Sequence, residues 1–250
     1  MYAYKVILVY LCIVFQIQYC SEMNNYENLQ QTVEGHWFSG ELKANELDQI
    51  LQKSTVVNYR KRETVIKKGE FANHLVFLID GFVKVENDEG KKNFIFDIVQ
   101  GKSFVGIPVV LSFEKYQFSV VTLTDARVLF VPIDVFKEVV KSNSKFALSV
   151  IEHGNLNFVL PLLEKLKSAS RNNIRERLAK LLVYLSTETH KANKFTLLIS
   201  RSEMAEMIGF SRENVIRMLS EFHAEGIIKI SGKSLNVLSL ERLEEISNSN

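Results

Sequence analysis

The apolar positions change period near Pro132, and that change divides the chain into a β-rich half and a helical half. Upstream, short runs of β-branched and aromatic residues follow one another: Val56-Val57, then residues 64–66, 75–79, 82–85, 94–99, 119–123 and 128–131. Gly69, Gly81, Gly90, Gly101 and Gly106 stand at the breaks. Many short strands with glycine punctuation predict an antiparallel barrel or jelly roll. A short amphipathic helix over residues 44–51, apolar at Leu47, Ile50 and Leu51, precedes the strands. Downstream, Val135, Phe136 and Val139 predict a short helix, and residues 144–169 a long one. Leu148, Ile151, Leu156, Val159, Leu163 and Leu166 recur along it near heptad spacing, and Pro161 should kink it or break its hydrogen-bond ladder. Such a stripe needs a partner. A second copy of the chain is the economical one, which makes Leu148, Ile151, Leu156, Val159 and Leu163 candidate dimerisation residues. Packing onto the chain's own barrel is the alternative.

The helical period continues from Ile174 to Leu185, with Leu178, Leu181 and Leu182 between them on the apolar side. A shorter helix runs from Ser202 to Ile208, apolar at Met204, Ala205 and Ile208. Gly209-Phe210 makes a turn in which Gly209 suits a positive φ. Ser211 supplies an N-cap oxygen for the next helix, from Arg212 to about Glu225. Val215, Ile216, Leu219 and Phe222 recur at helical spacing and are expected in the core. Arg212, Glu213 and Arg217 then fall on the other side, in the first two turns. After Gly226 the period drops to two: Ile228 and Ile230, then Leu235 and Val237, flank Ser231-Gly-Lys-Ser234 as a small hairpin.

Two short helices, a tight turn and a hairpin in this order read as a winged helix-turn-helix, whose second helix enters the major groove by its N-terminal turns. Arginine presents a fork to guanine O6 and N7, and glutamate accepts from cytosine N4, so this exposed set suits base edges. The candidate DNA-binding residues are Arg201, Ser202, Ser211, Arg212, Glu213, Arg217 and, in the wing, Lys233. A helical hairpin with solvated arginines is the plainer alternative, but cap, turn, polar face and wing all occur in sequence.

Composition narrows the chemistry. In 250 residues, 46% hydrophobic and 24% charged, there is length for one large or two smaller cores, and wholesale disorder is excluded. A net charge of +2 confines any nucleic-acid surface to a local patch. Cys12 and Cys20 are the only cysteines, too few for a disulfide framework or for the four thiolates of an iron–sulfur cluster. The five histidines are scattered, so no metal is expected. With no activated nucleophile and no phosphate-cradling glycine loop, no catalytic residues, cofactor or enzymatic activity are expected.

The N-terminal segment fits none of this. Residues 6–15 are an unbroken apolar run, short for a membrane span of about 20 residues, and Gln18 and Cys20 stand where an export signal places small residues. Three readings remain open: a start at Met23 with residues 1–22 mis-assigned, a membrane tether through residues 4–19, or an export signal. The first is preferred, because a DNA reader has no use for secretion.

Order and motifs resemble the Crp/Fnr transcription regulators over about residues 38–246. Gly69-Glu70 followed by Phe77-Leu-Ile-Asp-Gly81-Phe-Val-Lys-Val85 looks like the first half of the family's cyclic-nucleotide-domain signature, and Thr122-Leu-Thr-Asp-Ala126 like its last strand. Ser211-Arg-Glu-Asn-Val-Ile-Arg217 is similar to the recognition helix of the cAMP receptor branch, whose base-contacting residues map onto Arg212, Glu213 and Arg217. The resemblance implies an α+β fold: a β-roll sensor over 38–135, a connector and dimerisation helix over 136–170, and a winged helix over 171–247. It implies a cytoplasmic homodimer on double-stranded DNA, with contact to RNA polymerase left open.

The departures matter as much. The family's phosphate cassette has Gly-Glu at the start of a short helix and an Arg-Ser/Thr pair about ten residues on. Here Ile107 follows Gly106, and Phe113-Glu-Lys-Tyr-Gln-Phe-Ser119 has no arginine, with Tyr116-Gln117 near the place of the pair. A buried phosphate without a guanidinium fork is costly, and Lys115 lacks the planar fork, so cAMP is not the expected effector. A haem is disfavoured too, because residues 81–86 hold neither His nor Cys. Phe96, Phe104, Val109 and Phe118 are the candidate lining of the roll, holding an apolar effector or simply filling the barrel. The competing functional readings are a cyclic-nucleotide-responsive regulatory protein and a membrane-tethered regulator.

Overall fold

The structure is a computed structural model that describes residues 29–31, 33, 38–87, 93–169 and 173–248. The apolar segment 1–22 and Gly90 lie outside the described residues. Helix α1 (Ala44–Gln52) leads into eight strands: β1 (Thr55–Tyr59), β2 (Thr64–Ile66), β3 (His74–Asp80), β4 (Phe82–Asn87), β5 (Phe94–Gln100), β6 (Ser103–Val105), β7 (Ser119–Thr122) and β8 (Ala126–Pro132). A short helix, α2 (Ile107–Ser112), interrupts them between β6 and β7. The strands form two antiparallel four-stranded sheets, ordered β1-β8-β3-β6 and β2-β7-β4-β5. This is the expected roll. β6 was not foreseen: Ser103-Phe-Val105 is a short run between Lys102 and Gly106 and holds a single β-branched residue.

β3 is buried along nearly its whole length because both of its faces are covered. On its outer face, rings of Phe77 and Phe104 meet Phe38 and, through Phe104, Phe136 of helix α3 (Ile133–Ser142), with centroids 4.9 to 6.1 Å apart. Asn143 ends α3 and caps the next helix: its Oδ1 accepts from Phe146 N–H at 3.0 Å, while its Nδ2 donates to Glu41 O and Glu46 Oε2. One buried amide thereby ties the start of the long helix to the segment that opens the roll.

The long helix runs as α4 (Ser144–Gly154), a wider π-turn segment (Asn155–Val159) and α5 (Leu160–Ala169). The predicted disturbance at Pro161 takes this form. Proline has no N–H to donate, and its ring crowds the carbonyl four residues back, that of Asn157. Widening the preceding turn, so that Leu160 N–H bonds Asn155 O, relieves that crowding without ending the helix.

The C-terminal unit comprises α6 (Ile174–Tyr184), β9 (Lys194–Thr196), α7 (Arg201–Ile208), α8 (Arg212–Ala224), β10 (Ile228–Ser231), β11 (Ser234–Val237) and α9 (Leu240–Asn248). Its core is the apolar side of α6, α7 and α8 closed by β10 and β11, with Leu178, Leu182, Met204, Val215, Phe222 and Leu235 fully buried. β9 adds a third strand to the wing sheet, in the order β10-β11-β9.

Candidate nucleic-acid interface

Helix α7 starts at a capping box. Ser200 Oγ accepts from Glu203 N–H at 3.2 Å, and Glu203 Oε2 accepts from Ser200 N–H at 2.8 Å. It stops at Gly209, whose φ of +75° is the left-handed conformation expected of that turn. Arg177 of α6 secures the turn from behind: its guanidinium donates to Ile208 O at 2.8 Å and lies over the Phe210 ring. Ser211 then caps α8 through Asn214 N–H, as the sequence predicted. The two helices are therefore held at a fixed angle by backbone chemistry at the turn as well as by packing.

The buried side of α8 is Val215, Met218, Leu219 and Phe222. This corrects the expectation for Ile216, which is 40% exposed; Met218 takes the core position instead. The buried stripe of this short helix is narrow, and Ile216 sits just past its edge. Ser211, Arg212, Glu213 and Arg217 are exposed as expected, with Arg217 only loosely paired to Glu221 at 3.9 Å. Ser202 is exposed at the start of α7, and Lys233 is exposed at the tip of the wing. Arg201 is half-buried and donates to Gly232 O of the wing at 2.7 Å, where burial lowers its pKa. It braces the wing against α7.

In the roll, Gly106 adopts a φ of +71° at the start of α2, and the Phe118 ring packs against it so closely that a side chain at 106 would collide with that ring. Tyr116 is buried and donates its hydroxyl to His74 O at 2.7 Å, while Gln117 Nε2 bonds Lys115 O. Lys115 is exposed and lies over the Phe71 ring. The stretch that would hold a cyclic phosphate is thus occupied by an aromatic ring and by side chains bonded to nearby backbone. Two of the four lining candidates need correction. Phe96 is 39% exposed and stacks edge-on with exposed Phe94, because β5 carries a bulge opposite Val85 and Glu86. Phe104 is buried among Phe38, Phe77 and Phe136, on the side covered by helices. Val109 is half-buried in α2, and Phe118 is buried against Gly106 at the start of that helix.

A contact between the two halves had no signal in the sequence. Lys84 of β4 reaches α7, with its Nζ 2.7 Å from Glu86 Oε2 and 3.0 Å from Glu203 Oε1. All three side chains are largely shielded from solvent. Burial works against the Lys84 charge, but its hydrogen bonds to Glu86 and Glu203 prevail and raise its pKa. Burial likewise disfavours the Glu203 carboxylate, yet the Ser200 N–H and Lys84 hold it below the usual range. Nearby Glu206 is pushed up, by burial first. Tyr184 at the end of α6 donates to Asp97 Oδ1 at 2.8 Å and Ile98 O at 3.1 Å. The His190 ring stacks on Phe195 at 4.3 Å and lies 5.7 Å from Phe82 of the roll. Ile98 and Leu123 complete the joint by packing into the C-terminal core. Lys84 reads as an ordinary outward position of β4; nothing local marks a partner 119 residues away.

The stripe on α4 and α5 is open. Leu148, Ile151, Leu156, Val159, Leu163 and Leu166 are 45 to 63% exposed, joined by Leu160 and Leu162. Among the described residues the chain's own roll does not cover it, which speaks against the alternative weighed from the sequence.

Comparison with known proteins agrees with this architecture. Residues 56–143 match the cyclic nucleotide-binding domain family, and residues 176–246 match the Crp-like helix-turn-helix domain family. The chain is 22% identical over 212 residues to the anaerobic regulatory protein of Aggregatibacter actinomycetemcomitans, covering 82% of this chain and 80% of that protein. It is 24% identical over 204 residues to the cAMP-activated global transcriptional regulator CRP of Haemophilus influenzae, covering 76% and 87%. Among solved structures, FixK2 from Bradyrhizobium japonicum superposes with a TM-score of 0.71 at 20% identity, over 79% of this chain and 98% of that one.

Proposed function

We propose that the chain acts as a transcription regulator of the Crp/Fnr family, which its two domain matches and its relatives support, and that it binds pseudo-palindromic operators as a homodimer in the cytoplasm. The observation that carries this reading is the exposed face of α8, where Arg212, Glu213 and Arg217 stand on the first two turns behind a capped and braced turn. Arginines there favour guanines, and Glu213 favours a cytosine, giving a half-site resembling TGTGA. The uncovered stripe on α4 and α5 supports pairing of two copies, which sets the half-sites about one duplex turn apart. Selection from random double-stranded DNA tests the reading. Recovery of two-fold related G·C-containing half-sites about 10–11 bp between centres is expected; asymmetric or AT-only sites would overturn it.

The proposed effector is not a cyclic nucleotide, despite the domain family that residues 56–143 match. Phe118 against Gly106, and the absence of an arginine from Phe113-Glu-Lys-Tyr-Gln-Phe-Ser119, support this. Calorimetric titration with cAMP and cGMP should show no heat of binding at physiological concentrations, and micromolar affinity for either would refute the exclusion. Contact with RNA polymerase, and a small-molecule effector of another kind, remain compatible with this proposal.

A further inference from the structure

We infer that Ile216 reads the 5-methyl group of a thymine in the operator, an inference that rests on the DNA-binding reading above. The face of α8 opposite the core carries Arg212, Glu213, Arg217 and Ser220, and Ile216 stands among them at 40% exposure. On a helix, residues three and four apart are neighbours, so Ile216 touches the surface held by Arg212 and Glu213 and lies in line with Ser220. Helical side chains lean toward the N-terminus, which aims Ile216 at the end of α8 that approaches base edges. Ser220 contributes little there, because its hydroxyl is bound back to Ile216 O at 3.0 Å.

An isolated exposed apolar residue usually needs no explanation. This one is different because of its setting. A β-branched residue at an exposed helix position gains nothing in helix propensity over Lys, Gln or Arg, and it offers a groove only apolar surface. In the major groove one standard base presents apolar surface, thymine through its C5 methyl. The neighbours already supply donors and an acceptor for G·C pairs, so Ile216 adds the one kind of readout that charged groups cannot perform.

The test takes the operator recovered by selection and replaces each thymine in turn by deoxyuridine, which removes the methyl and keeps the base pair. Affinity of each duplex is measured for the wild-type protein, Ile216→Ala and Ile216→Val. One thymine per half-site should cost the wild type about 4-fold on demethylation, the worth of one buried carbon group. Ile216→Ala should lose that sensitivity while remaining sensitive to changes at guanines, and Ile216→Val should keep most of it. Effects of deoxyuridine on the duplex itself are common to all three proteins and cancel in the comparison. If the wild type ignores every demethylation, or if Ile216→Ala is penalised as much as the wild type, the inference is overturned while DNA binding stands. If selection recovers no operator, the functional reading fails and this inference with it.

Discussion

Placing a charge at Leu156 tests the pairing of two copies most directly. Leu156 is 63% exposed at the centre of the open stripe, inside the widened turn. Full burial of a leucine is worth about 1.5–3 kcal/mol, so covering two thirds of this one contributes about 1–2 kcal/mol per protomer. Two-fold symmetry counts it twice. Leu156→Ala should therefore weaken the dimer by about 2–4 kcal/mol, roughly 30- to 1000-fold in dissociation constant. Leu156→Glu should do more, because two like charges meet in the seam without partners. Sedimentation velocity over a concentration series reads the shift, and circular dichroism confirms that the variant is folded. Leu238→Ala is the control: that side chain is 53% exposed just after β11 in the C-terminal unit, not on the long helix, and should leave association unchanged. A folded Leu156→Glu protein that sediments like the parent at micromolar concentration would refute the reasoning, as would a parent that is monomeric there.

Three further outcomes are expected. Arg217→Ala should lose about 1–3 kcal/mol at one guanine and relax preference there, whereas Lys233→Ala should weaken all sequences evenly and reduce the salt dependence; equal behaviour of the two variants in competition binding would contradict the assignment. Lys84→Met strips the cation from between Glu86 and Glu203 and should destabilise the joint by about 1–3 kcal/mol, with Glu203→Gln in the same chain recovering part of it. Unchanged hydrogen exchange in β4 and α7 would show that the pair does not form in solution. Burial holds the His190 imidazole below its ordinary pKa, so the unfolded chain takes up a proton on acidification before the folded one does. The stability this contributes is complete above about pH 6.5 and declines as pH falls below it. Urea melts at neutral and mildly acid pH should show that decline and its reduction in His190→Phe; identical slopes for both proteins would rule it out.

Elements whose cause is local were legible in the sequence. Ser211, Gly209 and the Gly232 turn each act within four residues, so the helix-turn-helix and its wing could be placed almost to the residue. The strands β2, β3 and β7 announced themselves by short runs rich in β-branched, aromatic and other apolar residues. Where cause and effect are far apart, the reading stopped. Phe96 alternates correctly for an inward position, but it is the extra residue of a bulge, between Ile95 opposite Glu86 and Asp97 opposite Val85, and the alternation breaks there. Phe104 was placed inside the roll because the sequence does not say that Phe38 and Phe136 cover the outer face of its sheet.

Ile216 marks the boundary between these cases. Spacing put it with Val215, Leu219 and Phe222, and by period alone that grouping is sound. What period cannot give is how much of the helix circumference its neighbours cover. On α8 the cover comes from α6, α7 and β10, elements packed on one side only, so the apolar arc is too narrow for Ile216. An apolar residue left outside a core by so small a margin would be unremarked on most helices. On this one the uncovered arc is the side that carries Arg212, Glu213 and Arg217, and the same geometry that exposes those three to a groove exposes Ile216 with them.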